Sequence, residues 1–203
     1  MYSGVMSTPD RLIEATRDLL WERGYVGTSP KAIQRLAGAG QGSMYHHFQG
    51  KQELALAAIV RTAALLREAA DQALTGPGTA YGRIEAYLTR EREVLRGCPV
   101  GRLTTDPDVM ADARLRAPVD ETLGWLRGRI AEIVQEGVDA GEFGPDTVPD
   151  EIAATVVATV QGGYVLARAS GSAAPFDAAV RGLLALLAPP PGRAPARRPS
   201  PPA

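Results

Sequence analysis

The segment Ser29 to Lys51, SPKAIQRLAGAGQGSMYHHFQGK, leaves the backbone few alternatives. Ser29 can cap a helix beginning at Pro30, where a missing N–H does no harm, and Ile33, Leu36 and Ala37 follow at helical spacing. Gly38 and Gly40 then let the chain turn sharply. Gln41 to Phe48 offers about two helical turns, with Met44 and Phe48 on one face and Gln41, Ser43, Tyr45, His46 and His47 directed elsewhere. Two short helices about a glycine corner make a helix-turn-helix or an ordinary helical hairpin, and spacing alone leaves both open.

In the first of these readings the second helix enters a major groove. Gln41 and His46 then face base edges, while Ser43, Tyr45 and His47 lie near phosphates. Lys31 and Lys51 add positive charge on either side. Thr28 and Ser29 stand just ahead of the first short helix, whose free amides and positive dipole end suit a phosphate. Simple capping needs the same two residues.

Charge is distributed in keeping with such a contact. The net charge is −1, yet the stretch through Gln52 carries +2, residues 53–188 carry −6 and the remaining tail carries +3. A balance of +2 is small, so affinity for a polyanion calls for two copies acting together. A chain of 203 residues with 45% hydrophobic composition can bury a core. No apolar run is read as approaching the roughly 20 residues of a bilayer span, and MYSGVMSTPD lacks a basic start and an apolar signal core. The expectation is a cytoplasmic protein with no membrane partner.

A single cysteine, Cys98, excludes an internal disulfide and a cysteine-cluster metal site. His46 and His47 are adjacent and diverge by about 100° on a helix, so they do not share a metal. No Ser/His/Asp set, phosphate-cradling glycine motif or paired carboxylates emerges, so neither an enzyme nor a cofactor is expected.

Helical periodicity continues through the chain. Pro9 to Arg23 is amphipathic, with Thr8 as a plausible cap and Gly24 as its end, and Tyr25 is expected to close a small core. Further helices are expected over Lys51 to about Thr75, Tyr81 to about Arg96, Asp108 to Arg116 and Val119 to Ala140. Arg90, Glu91, Arg92 and Glu93 read as a solvated face, and Gly97-Cys98-Pro99-Val100-Gly101 as an irregular interruption. Pro149 to about Ala169 and Phe176 to Leu187 are apolar or small almost all round, which asks for cover beyond one chain, with Val160 and Leu184 taken as interface positions. From Pro189 onward PPPGRAPARRPSPPA is too rich in proline to fold and is expected to be disordered.

The N-terminal part resembles the DNA-binding domain of the tetracycline-repressor (TetR) family of bacterial transcription regulators. The resemblance rests on ERGYVGTS, on IQRLAG at Ile33 to Gly38, and above all on GSMYHHFQGKQEL, where Tyr45 and Phe48 precede Lys51, Glu53 and Leu54. GEFGPDTVPDEIA is a second matching piece, and the Gly-Cys-Pro segment is similar to one found in one branch of the family. Ala39, Gly40 and Gln41 depart from the usual branched, hydroxyl and basic residues, which bears on sequence preference more than on fold.

The resemblance implies an all-α homodimer with a helix-turn-helix DNA-binding domain at 1–50, an effector-binding and dimerisation domain at 51–188 and the tail at 189–203. It implies a ligand-responsive repressor that binds a palindromic operator in double-stranded DNA and is released by a small apolar effector. Tyr87, Cys98, Met110, Trp125, Gln161 and Tyr164 combine aromatic and soft side chains with a few polar tips on segments the resemblance gives to the effector domain. They are the candidate pocket lining. Cys98 is otherwise a small buried packing residue. A constitutive DNA-binding dimer without an effector fits the same residues, because apolar residues that line a pocket also make a core.

Overall fold

The computed structural model describes residues 6–188, so the proline-rich tail lies outside the described residues. The described chain is helical: α1 (Thr8–Arg23), α2 (Pro30–Ala37), α3 (Gln41–His47), α4 (Lys51–Leu74), α5 (Ala80–Thr89), a 3-10 helix (Gly101–Thr105), α6 (Pro107–Ala111), α7 (Ala113–Asp139), α8 (Pro149–Ser170) and α9 (Ala174–Leu187). These fall into two compact units. One gathers the chain up to Arg67 together with Arg96–Thr122, and the other gathers Glu68–Leu95 with Leu123 onward.

In the first unit α1, α2 and α3 close over a small core of Leu12, Ala15, Leu19, Ile33, Ala37, Met44 and Leu54, with Ala39 and Phe48 packed against it. Capping differs by one residue from the expectation at α1. Ser7, not Thr8, accepts the N–H of Asp10 at 3.3 Å. Gly24 ends α1 at a φ of +74°, and Gly38 ends α2 in the left-handed region that disfavours side chains. Leu36, expected on the apolar face, is 55% exposed; in so short a helix Ile33 and Ala37 cover the contact alone.

Further along, α5 stops at Thr89 rather than near Arg96, and the charge run after it is no helix face. Arg92 folds back. Its guanidinium donates to the carbonyls of Tyr87, Leu88 (2.7 Å) and Arg90 (3.0 Å), meeting carbonyls that the end of a helix leaves without partners. Burial holds its pKa below the ordinary arginine value. The expected helices at 108–116 and 119–140 are also redrawn: α6 ends at Ala111, Asp112 accepts the N–H groups of Arg114 (2.9 Å) and Leu115 (3.4 Å), and α7 runs on through Pro118.

In the second unit α8 lies along α9, where the Tyr164 and Phe176 ring centroids are 5.0 Å apart. Gly163 permits that approach, since a Cβ there would meet Phe176 at 2.8 Å. The GEF turn does two jobs. Glu142 accepts the N–H groups of Ala80 and Tyr81, each at 3.2 Å, at the start of α5, while Phe143 packs against Gly137 of α7. One correction concerns length: α8 has 22 residues and a mean hydropathy of 1.3 over its most apolar window, so by length and composition it reaches a bilayer span. Its Val156, Val157, Val160, Tyr164 and Ala167 are instead buried.

Candidate nucleic-acid interface

What faces outward from the head is decided by what its core holds. In α3 only Met44 is buried, and it fixes the phase of the helix. Gln34 of α2 donates to the Met44 sulfur at 3.5 Å, tying the two short helices side to side. Gln41, Tyr45, His46 and His47 are consequently exposed, with Tyr45 at 50%, and Ser43 is half-buried. The His46 and His47 rings meet edge to face with centroids 4.9 Å apart. Gly40 stands at the N-cap of α3 with no side chain to offer, so the first amides of that helix have no side-chain cap.

A shallow surface depression of about 620 Å³ runs beside α2, lined by Arg23, Ser29, Lys31, Ala32, Gln34, Arg35, Gly38 and Ala39. Lys31 and Arg35 are exposed there, and Ser29 caps α2 by accepting the Ala32 N–H at 3.2 Å. Arg23 and Arg35 were not singled out from the sequence. Their signal, a cation in the last turn of a helix that ends at glycine, is too common to stand out alone.

Two candidates are placed differently from expectation. Thr28 is 1% exposed and its hydroxyl donates to the Gly24 carbonyl at 2.7 Å, so its side chain is not available to a phosphate. Lys51 is half-buried, with its ammonium 3.9 Å from the centroid of the Tyr25 ring. Desolvation lowers its pKa, against the attraction of Asp106 and Asp108. Tyr25, expected in the core, is half-buried beneath it.

The six effector candidates do not all fall together. Tyr87, Trp125, Gln161 and Tyr164 belong to the second unit and Cys98 and Met110 to the first. Tyr87 (2%), Cys98 (7%) and Tyr164 (9%) are buried, while Met110, Trp125 and Gln161 are intermediate. The Cys98 sulfur accepts the Gly101 N–H at 3.2 Å, a packing role inside the bend.

Sequence reasoning missed Asp106 and Trp21 altogether. Asp106 is buried and accepts the N–H groups of Tyr25 (2.7 Å) and Val26 (2.9 Å) through Oδ2 and of Val109 (3.3 Å) through Oδ1. The Trp21 indole donates to the Gly97 carbonyl at 3.0 Å, and Arg96 stacks 3.9 Å from its ring centroid while reaching Asp18 at 3.1 Å.

A three-helix head with an exposed second helix of a helix-turn-helix, joined to a helical body, is the build of a DNA-binding regulator. Residues 12–58 match the family described as bacterial regulatory proteins, tetR family, and residues 80–183 match the tetracyclin repressor-like C-terminal domain. The transcriptional regulator AcuR of Cereibacter sphaeroides is 30% identical over 149 residues, covering 70% of this chain and 68% of that protein. A TetR transcriptional regulator from Chloroflexus aurantiacus is 29% identical with a TM-score of 0.78, over 89% of this chain and 93% of that one. The TetR family regulator CifR, solved with 26bp double-strand operator DNA, shares the fold at 23% identity and a TM-score of 0.73, over 87% and 94% of the chains. The chain belongs to the TetR family of transcriptional regulators.

Proposed function

We propose that this TetR-family regulator is a repressor that acts as a homodimer on an inverted-repeat operator and is released by a small apolar effector. The observation that carries the DNA-reading part is the phase of α3: burial of Met44 leaves Gln41, Tyr45, His46 and His47 outward on one short helix. Gln41 and His46 are assigned to base edges, and Ser29, Lys31, Ser43, Tyr45 and His47 to phosphate. CifR, a protein of related fold, was solved with operator DNA, which supports a DNA-binding role for the head. Residues 1–50 serve as the DNA-binding domain and 51–188 as the effector-binding and dimerisation domain, on the family branch marked by Gly97-Cys98-Pro99. Its place of action is the cytoplasm.

Dimerisation draws support from Val165 (67% exposed), Leu166 (54%) and Leu186 (85%), apolar side chains left uncovered on α8 and α9. Two identical heads related by a two-fold axis meet DNA with the same symmetry, hence the inverted repeat. Release requires an effector that binds the DNA-incompetent arrangement more tightly, since equal affinity for both shifts nothing. Tyr87, Cys98, Met110, Trp125, Gln161 and Tyr164 are the proposed effector-recognition residues. The function of the relatives argues for regulation in place of enzymatic activity.

Binding-site selection with purified protein tests the first half of this reading, and recovery of no inverted repeat would overturn it. A thermal-shift screen of small apolar and aromatic compounds tests the second half. A compound that raises the melting temperature should also weaken operator binding; stabilisation without release would leave a constitutive DNA-binding dimer.

A further inference from the structure

The turn between α1 and α2 decides where the reading helices stand relative to α1. Its own fastenings are few: the Thr28 N–H donates to the Tyr25 carbonyl at 3.1 Å and the Thr28 hydroxyl to Gly24. Val26 is 57% exposed and packs little. The N–H groups of Tyr25 and Val26 are instead held from 81 and 80 residues away, by a single carboxylate oxygen of Asp106. Asp106 is the one acidic residue among the buried described side chains. Its second oxygen accepts the Val109 N–H at the start of α6, so one carboxylate joins the turn to that helix.

Local geometry has made room for this contact. Gly24 has a φ of +74°, and a Cβ there would come within 2.9 Å of Asp106 Oδ2. Any side chain at that position meets both backbone strain and the carboxylate. The same segment grips α1 a second time, through Trp21 and the Gly97 carbonyl, with Arg96 stacked on the indole. Lys51, the first residue of α4, rests on Tyr25 of the same turn. The end of α1, the segment from Arg96 to Val109 and the start of α4 therefore all converge on it.

We propose that Asp106 is a positioning residue for DNA recognition: it fixes the turn that orients α2 and α3, with Trp21 as a second anchor. This rests on the reading that α3 contacts DNA. Asp106 is buried, with both carboxylate oxygens already accepting backbone N–H groups. Its negative charge would, by electrostatics alone, weaken binding to a polyanion, so removing it would tighten binding if the residue had no positioning role. Positioning has the opposite sign, because a freed turn must be ordered again each time the protein binds.

The test compares wild type, Asp106→Ala, Asp106→Asn and Trp21→Phe on the duplex recovered by selection with wild type. Circular dichroism establishes that each is folded at the assay temperature, and amide exchange is read at Tyr25 and Val26. Asp106→Ala should bind roughly tenfold or more weakly, with faster exchange of both amides and an unchanged slope of log affinity against log salt. Asp106→Asn keeps one acceptor for the turn but loses the Val109 contact, and should fall between the two at about threefold. Trp21→Phe keeps the ring beneath Arg96, loses the indole N–H, and should also weaken binding.

If wild type selects no sequence, the DNA-reading assignment fails and the proposal with it. If wild type selects a repeat and Asp106→Ala binds it equally or more tightly, only the role of Asp106 is overturned. Should Asp106→Ala not fold, unchanged affinity and unchanged exchange in Asp106→Asn would overturn it instead.

Discussion

Lys51 holds its ammonium 3.9 Å from the centroid of the Tyr25 ring. That placement makes it a fastener of the head, so the proposed phosphate contacts fall to the exposed cations beside α2. Lys51→Ala should lower stability to chemical denaturant by about 1 kcal/mol, the usual worth of such a contact at a partly exposed site, and leave the salt dependence of DNA binding unchanged. Lys31→Ala should do the reverse, with stability intact and the salt slope reduced by about 1. A reduced slope in Lys51→Ala would return that side chain to the phosphate contacts.

The faces of α8 and α9 separate two kinds of apolar residue. Val160 and Leu184, taken from the sequence as interface positions, are only 3% and 9% exposed within one chain, whereas Val165 and Leu186 are 67% and 85% exposed. Val165→Glu or Leu186→Glu should therefore yield folded monomers in sedimentation, while Val160→Glu should lower the melting temperature by burying an unpaired charge. An interface of the obligate kind buries on the order of 2,000 Å² or more. Dimers that persist in both exposed-face variants would move it elsewhere.

The glycines of α7 give a sharper contrast. A Cβ at Gly137 would meet Phe143 at 2.5 Å and Ala80 at 2.8 Å, but nothing lies within 4 Å of one at Gly124 or Gly128. Gly137→Ala should cost about 1–3 kcal/mol by overpacking, despite the gain in helix propensity. Gly124→Ala and Gly128→Ala should stabilise by roughly 0.5–1 kcal/mol. Thermal unfolding of the three variants decides it, and a destabilised Gly128→Ala would point to cover that a single chain does not supply.

The sequence made the head legible because its determinants are local. Ser29 with Pro30, and the glycines at 24 and 38, each mark a boundary by chemistry that acts within one turn. Met44 and Ile33 follow from periodicity. What escaped is non-local or ambiguous in phase. Nothing near Asp106 announces that its carboxylate will meet Tyr25, and Arg92 sits in an alternating charge run that reads as solvated until the chain doubles back. Val160 and Val165 differ only in which side of an apolar helix they occupy, and composition does not distinguish cover by α9 from cover by a second chain. Thr28 departs from expectation for a related reason: a hydroxyl ahead of a helix suits a phosphate, but here it turns inward to Gly24.

Base reading should rest on Gln41 and His46, both exposed on α3. A glutamine amide can pair with adenine N6 and N7 in two bonds at once, so Gln41→Ala should cost about 1–3 kcal/mol per half-site and relax the preference at one base pair, mirrored in the other half. Tyr45, half-exposed and assigned to phosphate, should behave otherwise: Tyr45→Ala weakens every sequence alike and leaves the preferred motif intact. Selection with wild type and both variants, followed by titration of the recovered duplexes, separates the two classes. A Gln41→Ala protein that recovers the wild-type motif unchanged would remove Gln41 from base recognition. Wild-type affinity in Tyr45→Ala would go further, since it would mean that the outward face of α3 does not meet DNA.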